Sequence, residues 1–289
     1  MLPRLARPDD LPTIYGWATK ENWNPGEKDI DVFMKWDPSG FYVIDNEDKT
    51  RLVAAIAVVE CAPDEFEVAY YVTDESYRGK GIGKKLWEYV FGLKNCYEKN
   101  VILHADPWVT PMYEKIGFKL SHYVQGYYFK KTPEILALAP RSDEITIESN
   151  DSVNYTEVAH YDNKITKYNR QSLLEDWVNI SKAVIKVAKN KAGEVVGFGI
   201  VRKGTGAHIA PLYADTASIA ISLVLELLEF PGAEELAILE TPSLNENIKP
   251  LVEAFNLKEE YKVNKLYWKH LPAQEYNKTF GIFALDLFG

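Results

Sequence analysis

Residues 77–83 read YRGKGIG, set between FEVAYYV at 66–72 and KKLWEYVFGL at 84–93. The first flank is apolar and β-branched and reads as a strand, while the second places Leu86, Trp87, Val90 and Phe91 near helical spacing. Glycine loses more backbone freedom on folding than any other residue. Gly79, Gly81 and Gly83 together therefore mark a tight path or a partner approaching the backbone. At a strand-to-helix junction that path can turn several N–H groups toward one point, beside the positive end of the helix. The result is an anion site, to which Lys80, Lys84 and Lys85 add local positive charge. A P-loop would need GxxxxGK followed by Ser or Thr, which this stretch lacks. A dinucleotide fingerprint fails as well, because Lys84 stands where its last glycine belongs and the stretch follows a hairpin.

Reading outward, the first half offers a short strand and then a helix over DLPTIYGWATKENW, stopped near Asn24-Pro25-Gly26, with a second helix over IDVFMKW. GFYVIDNEDKTRLVAAIAVVE at 40–60 has the pattern of a hairpin, NVILHADP that of a strand and TPMYEKIGF that of a short helix closed by Gly117. KLSHYVQGYYFKK is the last strand or hairpin of this half. Residues 132–145 carry two prolines and read as a connector. Beyond it the order recurs: VVGFGIVRKGTGAHIAPLYAD at 195–215 parallels residues 52–74, and SIAISLVLELLEF stands where KKLWEYVFGL stood. LVEAFNLKEEYKVNKLYWK repeats the layout of MYEKIGFKLSHYVQGYYFK, and the apolar tail FGIFALDLF reads as a final strand. The expectation is a duplicated mixed α/β fold, a twisted sheet flanked by helices, divided into residues 1–131, a connector over 132–145, and residues 146–289. Where the first half has its glycines the second has Thr216-Ala217-Ser218, so only the first is expected to bind the anion.

The composition is 46% apolar and 26% charged over 289 residues, ordinary for a folded protein, and the net charge of -9 argues against general nucleic-acid binding. The longest apolar run, LVAAIAVV at 52–59, is far too short to cross a bilayer, and the start lacks an apolar secretory core. No membrane or nucleic-acid partner is expected, and a cytoplasmic location is. Cys61 and Cys96 read as buried thiols, not as a disulfide framework or acyl carriers. The five histidines show no metal-site spacing, so no metal is expected, and His104 and His122 read as satisfied core residues.

Arg78-Gly79-Lys80-Gly81-Ile82-Gly83 resembles the signature of the GNAT superfamily of acyl-CoA-dependent N-acyltransferases: Arg or Gln, two residues, Gly, one residue, Gly or Ala. MYEKIGF at 112–118 is similar to its late motif, and the resemblance covers roughly residues 1–130. ENWNPG, PLYAD and the closing FGIFALDLFG resemble a two-domain subgroup in which a GNAT domain precedes a second, degenerate GNAT-like one. The resemblance implies acetyl-CoA as co-substrate, its diphosphate on Arg78, Gly79, Lys80, Gly81, Ile82, Gly83 and Lys84, and its pantetheine arm beside Tyr71 and Val72, where the sheet splays. It implies a backbone N–H polarising the thioester, assigned to Val72 with Tyr71 as its alternative, and Tyr113 as acid for the departing thiolate. Asp106-Pro107-Trp108-Val109-Thr110-Pro111 stands where many relatives carry an asparagine, a departure from the pattern.

The general base stays open among Glu67, Glu60 and a water relay. Trp23 and Asn24, with Glu60, are the candidates for the acceptor pocket. The implied reaction is direct attack by a primary amine of a small molecule or amino acid in a ternary complex. The alternatives are a non-catalytic acyl-CoA sensor and an enzyme acting on protein lysine. For the second half the open roles are dimerisation into a homodimer, closure of the pocket, and scaffolding.

Overall fold

The computed structural model describes residues 1–138 and 141–289. The first half runs β1 (Pro3–Leu5), α1 (Leu11–Lys20), α2 (Asp29–Trp36), β2 (Phe41–Asp45), β3 (Leu52–Ala62), β4 (Glu65–Thr73), α3 (Ile82–Leu93), β5 (Asn100–Ala105), α4 (Thr110–Lys115) and β6 (Lys119–Phe129). After α5 (Pro133–Leu138) the second half runs β7 (Ile145–Ser149), α6 (Tyr155–Thr166), α7 (Gln171–Ser181), β8 (Val184–Asn190), β9 (Val195–Lys203) and β10 (Ala207–Ala214). It closes with α8 (Ala217–Leu227), β11 (Ala237–Pro242), α9 (Lys249–Phe255), β12 (Lys258–Tyr267) and β13 (Thr279–Gly281). The second half thus repeats the order of the first. α1 stops short of the expected Trp23 because Asn22 and Asn24 take left-handed φ values of 61° and 51°, which asparagine tolerates. The hairpin between β2 and β3 is held by the Asn46 side chain, which accepts from the Thr50 and Arg51 amides at 2.9 and 3.2 Å.

The strands join into one sheet in the order β1-β2-β3-β4-β5-β12-β6-β11-β10-β9-β8-β7, with β13 on β10. The two halves therefore trade strands at the centre. β12 of the second half lies between β5 and β6 of the first, antiparallel to both, and β6 lies between β12 and β11. KLSHYVQGYYFKK does not form a hairpin, because the neighbour a return strand would supply comes from the other half. The expected boundary at 131 falls just after β6, and α5 occupies the front of the expected connector, of which residues 139 and 140 lie outside the described residues.

One face of the sheet is covered by α3 and α4 in the first half and by α8 and α9 in the second, each over its own core. The opposite face carries one core shared by both halves, built from α1, α2, α6, α7 and the tail beyond β13. That tail is not the strand its composition suggested. Only Thr279–Gly281 pairs, and Phe283, Leu287 and Phe288 turn into the shared core. Phe283 lies 4.4 Å from the Trp177 ring, and the Arg170 guanidinium, itself paired with Asp162, stacks over Phe283 at 4.5 Å. Among the described residues no helix is long and apolar enough to cross a membrane.

Candidate active site

β4 pairs in parallel with β5 only from Glu65–Asn100 to Val68–Leu103, and beyond that the two strands part. The cause is visible in β4 itself. Tyr70 has φ 47°, and the register against β3 jumps from Ala69–Ala57 to Val72–Ala55, so β4 carries one extra residue. Such a bulge bends its strand and re-aims side chains. Phe66 and Val68 enter the core under α3, Tyr70 and Val72 face the shared core, and Tyr71 returns to the α3 side. The splay was expected at Tyr71–Val72 and begins after Val68.

The bulge also sets which amides of β4 are left facing the gap. The Asp74 N–H donates to the Val53 carbonyl at 2.9 Å, which makes Val53–Asp74 a bonded pair of the antiparallel ladder. Bonded and non-bonded pairs alternate, so Val72–Ala55 is bonded too and the Val72 N–H points at β3. Its neighbours Tyr71 and Thr73 are the residues whose amides face the open side.

The glycine bend leads straight from this gap into α3. Gly79 and Gly81 both have φ 74°, and a Cβ added at either would meet nothing within 4 Å. Gly81 caps α3 with no side-chain hydrogen bond, leaving the first amides of the helix, including those of Ile82, Gly83 and Lys84, without a side-chain cap. Gly83 is needed for another reason: a Cβ there would lie 2.9 Å from Thr73 Oγ1 and 3.0 Å from Tyr71 Oη, so only glycine lets α3 approach β4 this closely. Around the bend, Arg78 Nε donates to the Thr73 carbonyl at 3.0 Å while its guanidinium pairs with Glu21. Lys80 donates to the Ser76 carbonyl at 2.8 Å and covers the Tyr77 ring. Lys84 is exposed and pairs with Glu88 at 3.7 Å.

A cavity of about 730 Å³ fills the splay between bend and tail. On the α3 side it reaches Tyr113, which is buried between Trp87 and Phe118 at 5.9 Å from each and has no hydrogen-bond partner among the described residues. Burial, together with Tyr71 and Asp106 nearby, raises its pKa well above the ordinary phenol range, and burial pushes Tyr71 up to about 12. Both phenols therefore hold their protons at neutral pH.

On the opposite side the cavity is lined by Trp23 and Asn24, and Asn24 donates to Tyr128 Oη at 2.8 Å. Glu67 and Glu60 are not part of its wall. Glu67 is buried behind it, accepting from the Phe288 amide at 2.5 Å and lying 3.3 Å from His104 Nδ1. The Glu60 side chain is exposed at a strand end, and its carbonyl accepts from Trp36 Nε1 at 2.8 Å. His104, expected to be a satisfied core residue, has a side chain 3% exposed with its Nδ1 on Glu67, and it also lines the cavity. Burial is the chief cause that lowers its pKa.

The carboxylate that does reach the cavity is Asp286, from the tail of the second half. It accepts from Tyr70 Oη at 2.6 Å, and its pKa is raised to about 7, chiefly by burial and further by Asp29 and Glu240. It was not foreseen. The available signal was a lone acid in the apolar run FGIFALDLFG, which a strand reading absorbed. Among the described residues no cluster of His, Cys, Asp and Glu is arranged to hold a metal.

The loop that carries Trp23 and Asn24 is fixed to the second half by a buried pair. Arg202 Nε and Nη2 donate to the two oxygens of Asp29 at 2.7 and 2.6 Å, and the guanidinium stacks over Trp177 at 4.4 Å. The Gly26 amide completes Asp29 at 2.9 Å, and a Cβ at Gly26 would lie 2.3 Å from its carboxylate.

Residues 9–118 match the family described as "Acetyltransferase (GNAT) family", and residues 158–281 match the one described as "Acetyltransferase (GNAT) domain". The chain is 26% identical over 274 residues to the holothin acyltransferase of Pseudoalteromonas sp. (strain SANK 73390), across 94% of this chain and 89% of that protein. It superposes on a putative acetyltransferase from Pyrococcus horikoshii with a TM-score of 0.78 at 17% identity, over 99% of this chain and 95% of that one. A tandem GNAT protein from the clavulanic acid biosynthesis pathway gives a TM-score of 0.67 at 15% identity, over 94% of this chain and 99% of that one. With one such match on each half and the same order of strands and helices in both, the chain belongs to the GNAT superfamily as two tandem GNAT-like domains.

Proposed function

We propose that the protein transfers the acetyl group of acetyl-CoA to the primary amine of a small molecule, by direct attack in a ternary complex. The observation that carries this reading is the continuity of bare glycine bend, open strand gap and cavity, with Tyr113 at the junction. The residues fit the co-substrate. Gly79 and Gly81 leave free space and α3 offers uncapped amides, which suits a diphosphate. The gap beyond Val68–Leu103 leaves main-chain donors at Tyr71 and Thr73, which suits the amides of a pantetheine arm.

In this reading the Tyr71 N–H polarises the thioester carbonyl and stabilises the oxyanion that forms on attack. One such donor supplies about 3 kcal/mol of transition-state stabilisation. Tyr113 then gives a proton to the departing thiolate, and its raised pKa keeps that proton in place beforehand. The acceptor end favours a small molecule over a protein chain, because it is a pocket lined by Tyr128, Tyr261 and Asp286. The relative named a holothin acyltransferase also favours acyl transfer over a silent sensor.

The test is thiol release from acetyl-CoA with a panel of primary amines, amino acids and lysine peptides, alongside calorimetry of coenzyme A binding. Amine-dependent release is the expected result. Tight binding with no acceptor accelerating release would overturn the enzyme reading, and no binding would overturn the site.

A further inference from the structure

The half of the cavity beyond the thioester position differs from the rest of the protein in its chemistry. Its walls are the rings of Trp23, Tyr70, Tyr128 and Tyr261, and its acids are Asp286 and, at the rim, Glu260. Arg78 is the only Lys or Arg among the described lining residues, and it is held at the glycine bend by Glu21. Asp286 uses one oxygen to accept from Tyr70 at 2.6 Å, and its other oxygen has no hydrogen-bond partner among the described residues. Tyr70 is the bulge residue itself, adjacent in sequence to Tyr71, whose amide faces the gap. The carboxylate is thus anchored one residue from the proposed oxyanion donor. His104, deeply buried with its Nδ1 3.3 Å from Glu67, lines the same cavity beside them.

We infer that Asp286, delivered by the tail of the second half, is the carboxylate that docks and deprotonates an ammonium-bearing acceptor whose body lies against Trp23, Tyr128 and Tyr261. This rests on the acyl-transfer reading above. The acceptor class is a primary amine on a flat or apolar body without a carboxylate of its own, since no free cation in that half would balance one. Asp286 takes one proton from the ammonium and later releases it to solvent. The nitrogen lone pair forms the new bond to the carbonyl carbon, and the C–S bond breaks with its electrons going to sulfur. Tyr113 protonates the thiolate, and the second proton lost by the nitrogen restores the Tyr113 phenol. One amide, one thiol and one solvent proton result.

The groups facing Asp286 are Tyr70 from β4, Asp29 from α2, Glu240 from β11 and Arg202 from β9, with His104 of β5 and Tyr261 and Glu260 of β12 on the same cavity. Burial, Asp29 and Glu240 favour its protonated form, while Tyr70 and Arg202 favour the carboxylate. The balance puts its titration near 7, where a base serves best.

The experiment is Asp286→Asn in the full chain, assayed with acetyl-CoA and phenethylamine, tyramine and tryptamine, each beside its parent amino acid. The expected result is turnover of the amines in preference to the amino acids by the unaltered protein. In the variant, kcat/KM at pH 7 should fall on the order of 100-fold with unchanged coenzyme A affinity. The acidic limb near pH 7 should disappear, and activity should recover toward pH 9.5 as free amine accumulates. Tyr70→Phe removes the donor that favours the carboxylate, so its limb should move to higher pH by roughly half a pH unit or more. If Asp286→Asn melts early, that displacement decides alone. Turnover at pH 7 within about threefold of the unaltered protein, or a Tyr70→Phe limb that stays in place, would overturn the role of Asp286 while leaving acyl transfer standing. Amino acids preferred over their amines would overturn the acceptor class. Absence of turnover by the unaltered protein with every amine would remove the acyl-transfer reading, and this inference with it.

Discussion

Replacing Arg202 with methionine tests how the acceptor loop is held. Arg202 is 3% exposed and Asp29 fully buried, so the substitution leaves Asp29 with the Gly26 amide as its one remaining strong donor. Removing one partner of a buried ion pair costs about 3–5 kcal/mol, because the stranded charge keeps its desolvation penalty. For a chain of 289 residues that lowers the melting temperature by roughly 5–8 °C. The lost guanidinium stack over Trp177 acts in the same direction. The double variant Arg202→Met with Asp29→Leu strands no charge and should recover most of the loss, since buried pairs replaced by apolar residues are often neutral. The effect should reach function through the loop that carries Trp23 and Asn24, with the acceptor KM rising and coenzyme A affinity unchanged. Thermal and urea melts of the four proteins give the coupling energy. A single-variant loss below about 1 kcal/mol, or a double variant no better than the single ones, would refute the account of the pair as a buried strut.

Gly81→Val places a β-branched side chain at φ 74°, costing the fold about 1–2 kcal/mol, and fills the space assigned to the diphosphate. Calorimetry should show coenzyme A affinity reduced at least about tenfold, the loss of one charge-assisted hydrogen bond, and equal affinity would sink the bend as the site. Tyr113→Phe should lower turnover about 100-fold with binding retained, and because burial raises this phenol its ionisation should add no alkaline limb to the unaltered profile below pH 10. Equal turnover would remove its acid role. Glu240 is buried and raised to about 7, so its contribution to stability is fully present below the ordinary carboxylate range and is lost as pH rises through 7. Glu240→Gln should therefore gain on the unaltered protein between pH 5 and 8, by on the order of 2–3 kcal/mol, and a difference independent of pH in paired melts would contradict this.

The features that could be read from sequence were those with a local cause. Gly79 and Gly81 had to occupy left-handed backbone, Asn46 had to close a hairpin, and Leu86, Trp87, Val90 and Phe91 had to share a helix face. The bend, the helices and the repetition followed from such signals. The bulge did not, because FEVAYYV reads as an unbroken strand and a tyrosine carries no mark of positive φ. Its consequence, a bonded amide at Val72 and open ones at Tyr71 and Thr73, depends on the register against β3. The choice of strand neighbours was equally hidden. β6 and β12 have similar patterns, and nothing within either says that it sits beside the other. Asp286 was missed for the same reason: an acid in an apolar tail becomes functional only where the tail is folded back onto β4.

The exchange of β6 and β12 has a bearing on how the molecule assembles. The central ladder needs β12, which is made long after β5 and β6, so the first half cannot complete its own sheet while it is being made. Until residues 258–267 arrive, β5 and β6 are separate open margins, the kind of surface that attracts stray chains. Severing the chain between the halves should accordingly yield two pieces that stay interlocked under native conditions and refold only when mixed.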